Sequence, residues 1–173
     1  ILGGRCTADT IEKLAMLAET YGDGSLRTVT SQNFILANIP DENIEALRKE
    51  ELLQSLHLLS KKYSAYTISC VGKEFCPFGL VTTKENIESI TTYLDEHIPV
   101  DTPIRIHISG CVHSCGQPQI ADIGLQGVVA RVQGEVVESF ELWIGGALGI
   151  EAAFGTKLEG SILVTDAGEA LAT

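Results

Sequence analysis

Four of the five cysteines in this chain of 173 residues fall into two close pairs. Five residues separate Cys70 from Cys76, three separate Cys111 from Cys115, and 34 residues lie between the pairs. Thiolates that two short loops deliver in pairs can hold a tetrahedral metal ion or an iron–sulfur cluster. The two pairs are therefore the first candidates for chemistry in this sequence, whereas Cys6 lies outside the pattern and is interpreted as a spare thiol.

The spacing and the flanking residues favour a [4Fe-4S] cluster over a single zinc ion. Paired zinc ligands are usually two to four residues apart, so the first pair is wide for zinc. Gly72, Gly110 and Gly116 would allow the backbone to approach a bulky inorganic core. Nearby apolar side chains would exclude water from the cluster, namely Phe75, Pro77, Phe78 and Val112. A four-cysteine zinc module, or a cluster that only transfers electrons, remains the alternative.

The composition argues against some binding functions and favours a reducing compartment. A formal charge of −11 argues against binding nucleic acid or an anionic membrane surface. No apolar run is long enough to cross a bilayer, and no secretory signal is present. An odd number of cysteines without an export signal favours a reducing compartment, either the cytoplasm or a plastid-like compartment. The chain does not begin with Met, so we expect it to be part of a longer protein.

The first 62 residues are predicted to form a domain in the order helix, strand, strand, helix. Apolar spacing predicts a helix over residues 7–21, and β-rich runs predict strands over Leu26–Thr30 and Phe34–Ile39. Pro40 with two acidic residues after it predicts a second helix that runs to about Leu59. This αββα order is half of an α+β plait, and we place the domain boundary after residue 62.

Residues 63–173 are predicted to form a second α+β domain with a mixed sheet. A strand over Tyr66–Ser69 leads into the first cysteine pair, and an alternating strand over Ile104–Ile108 leads into the second. Thr82 or Thr83 is predicted to cap a helix over Lys84–His97 between them. Further strands and a short terminal helix are predicted over residues 120–125, 128–132, 136–143, 162–165 and 166–173.

Three segments of the second domain resemble the sirohaem and [4Fe-4S] domain of the nitrite and sulfite reductases. They are Ser69–Cys76 (SCVGKEFC), Ser109–Gln117 (SGCVHSCGQ) and Ala121–Gly127 (ADIGLQG). Residues 14–22 and Leu26–Asn33 (LRTVTSQN) are similar to the ferredoxin-like half domain that precedes it. The resemblance covers nearly the whole chain, and the cysteine segments are its most specific part.

The resemblance implies cofactors and a reaction. All four paired cysteines would bind the [4Fe-4S] cluster, and the sulfur of Cys115 would also bridge to the iron of sirohaem. The reaction would be the six-electron reduction of nitrite to ammonia or of sulfite to sulfide. The segment from Cys115 to Gly124 is more similar to the nitrite-reducing members. Precorrin-3B synthase, an enzyme of related fold, is a further alternative that the resemblance permits.

The resemblance also suggests residues that contact sirohaem. Arg27 would bind a sirohaem carboxylate through its guanidinium group, or would be an ordinary arginine on a strand surface. His113, where many members have Asn, would bind a macrocycle carboxylate or donate a proton, or would be a solvent-facing loop residue. Polar residues near Arg27 would donate to the edge of the cofactor or stabilise the turn, namely Thr28, Thr30, Gln32 and Asn33.

The same resemblance implies that other parts are needed for turnover. Family members contain this half-domain unit twice, and the chain resembles the second, cluster-carrying copy. The Arg and Lys residues that bind the substrate anion lie mostly in the other half, so we assign no catalytic residue here and expect no activity from these residues alone. The expected partners are that N-terminal half, nitrite or sulfite, and an electron donor such as ferredoxin. Since ferredoxin is acidic and this chain carries −11, either the other half supplies the docking charge or the donor differs.

Overall fold

The computed structural model describes residues 1–56 and 63–173, and the chain divides into two compact units near residue 60. The domain boundary expected after residue 62 falls at the edge of residues 57–62, which lie outside the described residues, so it stays a prediction. No helix in the described part is long and apolar enough to cross a membrane.

The first unit has the predicted order of elements. Thr7 caps the first helix, because its hydroxyl accepts a hydrogen bond of 3.1 Å from the amide of Thr10, and Gly22 follows the end of that helix. The two strands form an antiparallel pair and are shorter than predicted. The helices and strands are α1 (Ala8–Tyr21), β1 (Leu26–Thr28), β2 (Phe34–Leu36), α2 (Asp41–Leu47) and α3 (Glu51–Ser55).

The prediction of a single helix between Pro40 and about Leu59 is wrong. The described part of this segment contains two short helices, α2 and α3. Leu47 and Leu53 are both buried in the core of this unit with Leu14 of α1. Six residues along a continuous helix turn through about 600°, which would leave Leu47 and Leu53 about 120° apart. The break between α2 and α3 lets both leucines face the same core. Leu59 lies outside the described residues.

The second unit contains a six-stranded mixed sheet, which confirms the predicted α+β class. Strands β3, β4 and β5 run parallel to one another, and β6 runs antiparallel to β5. Both β7 and β8 pair with β6 in antiparallel fashion. The elements are β3 (Thr67–Ser69), α4 (Lys84–His97), β4 (Ile106–Ser109), β5 (Ile123–Val132), β6 (Glu135–Ile144), β7 (Thr156–Lys157), β8 (Ile162–Leu163) and α5 (Ala167–Ala172).

One apolar face of α4 packs against the middle of this sheet. Ile87, Ile90 and Leu94 recur at helical spacing and share a core with Ile106 and Ile108 of β4. Burial of these side chains fixes the helix across the parallel strands. The core thereby holds the carboxyl ends of β3 and β4 in place.

Two expectations about the strands of this sheet are corrected. Strand β4 spans Ile106–Ser109, where Ile104–Ile108 was expected, and all four of its residues are buried, including His107 at 2% exposure. Central parallel strands are covered on both sides, so alternation does not predict exposure there. Residues 123–132 form one strand, where a break near Gly127 was expected. A Cβ atom at Gly127 would lie 2.6 Å from the backbone of Gly110, so this glycine serves close packing of the chain.

Candidate metal centre

Both cysteine pairs lie on loops that leave the sheet at the same edge. Strand β3 ends at Ser69, directly before Cys70, and β4 ends at Ser109, two residues before Cys111. The two strands are parallel neighbours, with Ser69 opposite Ile108. The sheet therefore brings the two loops together, as the positions of the pairs after predicted strands had indicated.

Hydrogen bonds join the two loops directly. The Gly110 amide donates to the sulfur of Cys70 at 3.1 Å, which is a backbone donor to a candidate ligand. The Gly110 carbonyl accepts from the amides of Leu80 at 2.8 Å and Val81 at 3.1 Å. Gly110 thus bonds to the first loop through both its amide and its carbonyl group.

Two glycines permit this close approach. A Cβ atom at Gly110 would lie 2.8 Å from the carbonyl oxygen of Val81 and 3.1 Å from the Cα atom of Gly72. Gly72 has a φ of +68°, and a Cβ atom there would lie 2.5 Å from the hydroxyl of Thr83. Larger residues at either position would push the loops apart. The glycines therefore pack the two loops against each other and against the residue that precedes α4.

All four candidate ligands are free thiols with different exposure. Cys111 is buried, Cys70 and Cys76 are half-buried, and Cys115 is exposed. Within residues 1–56 and 63–173, no three His, Cys, Asp or Glu side chains are grouped as a single metal ion would require.

The donor set does fit a [4Fe-4S] cluster. Such a cluster uses four cysteine thiolates, each bound to a different iron, so the sulfurs surround an inorganic core and not one ion. The two joined loops supply four free thiols, which is the number of ligands that such a cluster needs. The amide that already points at Cys70 is the kind of donor that stabilises a metal-bound thiolate.

The N-terminus of α4 is attached to the first cysteine loop. Thr83 precedes the helix, but its hydroxyl donates to the carbonyl of Cys70 at 2.6 Å and makes no capping bond to the helix. Glu138 of β6 accepts from the Thr82 amide at 3.2 Å and forms a 2.8 Å ion pair with Lys73. Thr83 thus occupies the N-cap position that the sequence predicted, but its hydroxyl binds the cysteine loop and does not cap the helix.

A network of polar side chains connects the second cysteine loop to strands β5 and β6. Ser114 has a φ of +55°, an uncommon conformation for a residue other than glycine. Its hydroxyl accepts from Gln119 at 2.8 Å and donates to Gln126 of β5 at 3.3 Å. Gln126 is 7% exposed, and its amide reaches Glu141 of β6 at 3.5 Å. These contacts hold the residue directly before Cys115 in its strained conformation.

His107 ties the same loop to the sheet. Its Nδ1 donates to the carbonyl of Gln117 at 3.0 Å, and burial lowers the pKa of the imidazole below its ordinary value. The ring is therefore neutral near pH 7. The sequence pattern assigned His107 only to a strand and did not predict this contact. The contact depends on burial of a central parallel strand, which the sequence pattern alone did not indicate.

The start of β4 is joined to the turn before β5 by an ion pair. The Arg105 guanidinium makes two hydrogen bonds of 3.0 Å to the Asp122 carboxylate and one of 3.1 Å to the carbonyl of Gly146. These bonds lower the pKa of Asp122 below its ordinary value. Asp122 therefore stabilises the turn before β5. A Cβ atom at Gly146 would lie 2.5 Å from the Ala121 carbonyl oxygen, so this glycine permits close approach to the chain's own backbone.

His113 lies in the second cysteine loop with its ring between the two loops. Its Nδ1 is 3.4 Å from the sulfur of Cys111, and its ring centroid is 5.4 Å from that of Phe78. The residue is exposed on its other side. The expected role toward a macrocycle carboxylate stays a prediction, and the contact with Cys111 was not foreseen.

The side chains expected to exclude water are exposed. Phe75 is 65% exposed, Phe78 67% and Val112 64%, and Pro77 is also exposed. Each of them is mostly exposed among the described residues, so the expected dry shell around the cysteines is not formed by these side chains here. They form an apolar surface beside the candidate ligands.

The candidate sirohaem contacts of the first unit lie on β1 and the turn after it. Arg27 is exposed and opposite Ile35, which is 48% exposed, so this face of the strand pair is solvent-facing. Thr28 and Thr30 are exposed as well. Gln32 has a φ of +61°, and Asn33 donates to the carbonyl of Ser31 at 3.2 Å. These positions suit turn residues, and their role toward a cofactor stays a prediction.

Both units match known protein families. Residues 1–54 match the family described as nitrite/sulfite reductase ferredoxin-like half domain. Residues 65–170 match the family described as nitrite and sulphite reductase 4Fe-4S domain. The second match contains all four paired cysteines, and the two follow each other in the expected order.

Similar proteins include ferredoxin–nitrite reductases. That of Synechococcus elongatus is 39% identical over 168 residues, which cover 97% of this chain and 33% of the relative. The chloroplastic enzyme of Arabidopsis thaliana is 34% identical over 169 residues, covering 94% of this chain and 28% of the relative. The chain thus spans about a third of the length of these relatives.

A solved structure has the same fold over almost the whole chain. The NirA protein of Mycobacterium tuberculosis superposes with a TM-score of 0.86 at 27% identity, and the match covers 99% of this chain and 33% of NirA. A dissimilatory sulfite reductase I superposes with a TM-score of 0.68 at 12% identity, which shows the fold alone. The chain therefore belongs to the nitrite and sulphite reductase family, with its ferredoxin-like half domain followed by its 4Fe-4S domain.

Proposed function

We propose that this chain carries the cluster-binding part of an assimilatory reductase that converts nitrite to ammonia. The observation that carries the proposal is the joined pair of cysteine loops at the edge of β3 and β4, with the Gly110 amide directed at the sulfur of Cys70. The names of the similar ferredoxin–nitrite reductases support nitrite as substrate over sulfite.

The residues proposed to hold the [4Fe-4S] cluster are Cys70, Cys76, Cys111 and Cys115. The exposure of Cys115 supports its proposed second contact, in which its sulfur bridges to the iron of sirohaem. When bound, these groups would supply one-electron transfers and an iron that binds the substrate anion. The Gly110 amide donates a hydrogen bond to the sulfur of Cys70. The ion pair of Lys73 with Glu138 attaches the first cysteine loop to β6.

The exposed apolar side chains beside the cysteines support a bound group or a further segment at this surface. Phe75 is 65% exposed, Phe78 67% and Val112 64%, and exposed apolar patches commonly mark interaction sites. We infer that sirohaem and the remainder of a longer enzyme cover them. Since similar enzymes are about three times as long as this chain, we propose that these residues do not turn over substrate alone.

The electron donor is proposed to be a ferredoxin. The names of the relatives from Synechococcus elongatus and Arabidopsis thaliana support this donor. The charge of −11 does not favour docking of an acidic protein on this chain, so the docking surface is proposed to lie on other residues of the enzyme.

The experiment that tests the function is reduction of nitrite and of sulfite by the full-length protein with reduced methyl viologen as donor. We expect ammonium from nitrite at a higher kcat/KM than sulfide from sulfite. A Cys115→Ser variant should lose both activities, and a Cys6→Ser variant should keep them. A full-length protein with its cluster and sirohaem bound that reduces neither anion would contradict the proposal.

A further inference from the structure

The ring of His113 is held in one place by both cysteine loops. Its Nδ1 is 3.4 Å from the sulfur of Cys111, in its own loop. Its face meets Phe78 of the first loop at a centroid distance of 5.4 Å and an angle of 49° between the rings. The aromatic contact directs the nitrogen toward the sulfur and limits rotation of the side chain.

The chemistry of a bound thiolate decides the direction of this contact. A cysteine that binds iron has lost its proton and can only accept a hydrogen bond. The proton between the two atoms must then belong to the imidazole, which carries it on Nδ1. Cys111 is only 8% exposed, and a hydrogen bond to a charged acceptor is stronger where water is excluded.

We propose that His113 donates a hydrogen bond from Nδ1 to the sulfur of Cys111 and thereby raises the midpoint potential of the bound cluster. This inference rests on the proposed function, since it requires a cluster on Cys111. Reduction adds negative charge to the cluster and its thiolates, so a donor at the sulfur stabilises the reduced form more than the oxidised form. The cluster then accepts an electron more readily than it would without the ring.

The proposed donor at Cys111 is a side chain, whereas the donor at Cys70 is a backbone amide. The sulfur of Cys70 accepts from the backbone of Gly110, a donor that no side-chain substitution removes. The donor at Cys111 is a side chain, so substitution at position 113 changes the hydrogen bonding of the cluster without changing a ligand. Residue 113 is therefore where the sequence of the loop can adjust the potential.

The first test uses the full-length protein in its native sequence. The protein is labelled with histidine that carries ¹⁵N only at ring Nδ1, and the reduced cluster is studied by pulsed electron paramagnetic resonance. We expect a weak ¹⁵N coupling, transmitted through the hydrogen bond to the sulfur. A bound, reduced cluster with no such coupling overturns the inference, even if a variant at position 113 fails to assemble.

The second test compares His113→Leu with a matched control. His97→Leu removes a histidine at the end of α4, whose ring stacks on Tyr93 at 4.0 Å. We expect His113→Leu to lose the ¹⁵N coupling, to lower the midpoint potential, and to shift the iron–thiolate stretching bands in resonance Raman spectra to higher frequency. We expect His97→Leu to change none of these.

The outcomes separate this inference from the proposed function. Absence of iron and labile sulfide from the native protein would be a failure of the proposed function. A cluster whose potential and vibrational bands are the same in His113→Leu and in the native protein would instead contradict the role of His113 alone.

Discussion

The paired cysteines and Cys6 differ in what their replacement should do. Cys111→Ser removes a buried ligand, and a serine oxygen is a poor substitute for a thiolate on iron. We predict that this variant loses most of its bound iron and labile sulfide, measured on anaerobically purified full-length protein. Cys6→Ser is the matched control, because Cys6 lies in the other unit, and it should keep the full content. Equal loss in the two variants would contradict the assignment of ligands.

Gly110 should be sensitive to substitution although it is not itself a ligand. In Gly110→Ala the new methyl group would lie 2.8 Å from the Val81 carbonyl oxygen, which is backbone and cannot rotate away. Overpacking of this kind costs about 1–3 kcal/mol, so we predict a lower free energy of unfolding and a lower cluster content. Denaturant unfolding measures the first, and iron analysis the second.

A control for this substitution exists at the tip of the hairpin between β5 and β6. Gly134 has a φ of +89°, and no atom lies within 4 Å of a Cβ atom placed there. Asparagine tolerates positive φ better than other residues, so Gly134→Asn should be close to neutral. A Gly110→Ala variant as stable and as fully loaded as Gly134→Asn would show that the two loops are not closely packed in solution.

At the scale of elements, the buried His107 of β4 is predicted to make the free energy of unfolding depend on pH. Burial lowers the pKa of His107 in the folded protein, whereas the unfolded chain has the ordinary value of about 6.5. The unfolded state therefore binds a proton that the folded state does not, and stability is lost as pH falls below about 6.5. Urea denaturation followed by the fluorescence of Trp143, at several pH values between 5 and 8, measures this slope.

Replacement of His107 should remove that slope. In His107→Asn the pH dependence below about 6.5 is expected to flatten, with some loss of stability at all pH values because a buried contact with Gln117 changes. His97→Asn removes an exposed histidine of α4 and should leave the slope intact. An unchanged slope in His107→Asn would mean that another group titrates in this range.

The elements that sequence predicted well are those with strong local signals. The bounds of α4 agree with the predicted Lys84–His97, since apolar residues recur at helical spacing before Pro99. The break between α2 and α3 was missed, because it depends on burying Leu47 and Leu53 in one core. The continuous strand through Gly127 was missed for a similar reason. This glycine is needed for close packing against the backbone of Gly110 and does not form a turn.

The sequence indicated that the two cysteine pairs lie on loops after strands, but it did not indicate the contacts that support those loops. Cysteine spacing identified the pairs and their loops, because ligands must come from nearby residues of a short loop. The contacts of Glu138 with Lys73 and of Gln126 with Ser114 join residues far apart in the chain. Such contacts depend on the register of the sheet, which sequence spacing alone does not determine.

For the whole molecule, the apolar surface formed by Phe75, Phe78 and Val112 predicts self-association of the 173-residue chain. Exposed apolar patches of this kind drive association when nothing covers them. We predict concentration-dependent oligomers in light scattering, reduced in a Phe75→Ser, Phe78→Ser double variant. Val136→Ser, which changes a 59% exposed residue of β6, is the control and should not reduce association. A monomer at high concentration would argue against an uncovered binding surface.

The measurement that tests the central claim most directly is metal and sulfide analysis of the full-length protein purified without oxygen, together with its visible spectrum. The account predicts about four iron and about four labile sulfide per chain from the cluster, with about one further iron from sirohaem. It also predicts absorption bands in the red from sirohaem. Zinc bound to the protein without iron or labile sulfide would contradict the account and would identify the paired cysteines as a structural zinc site.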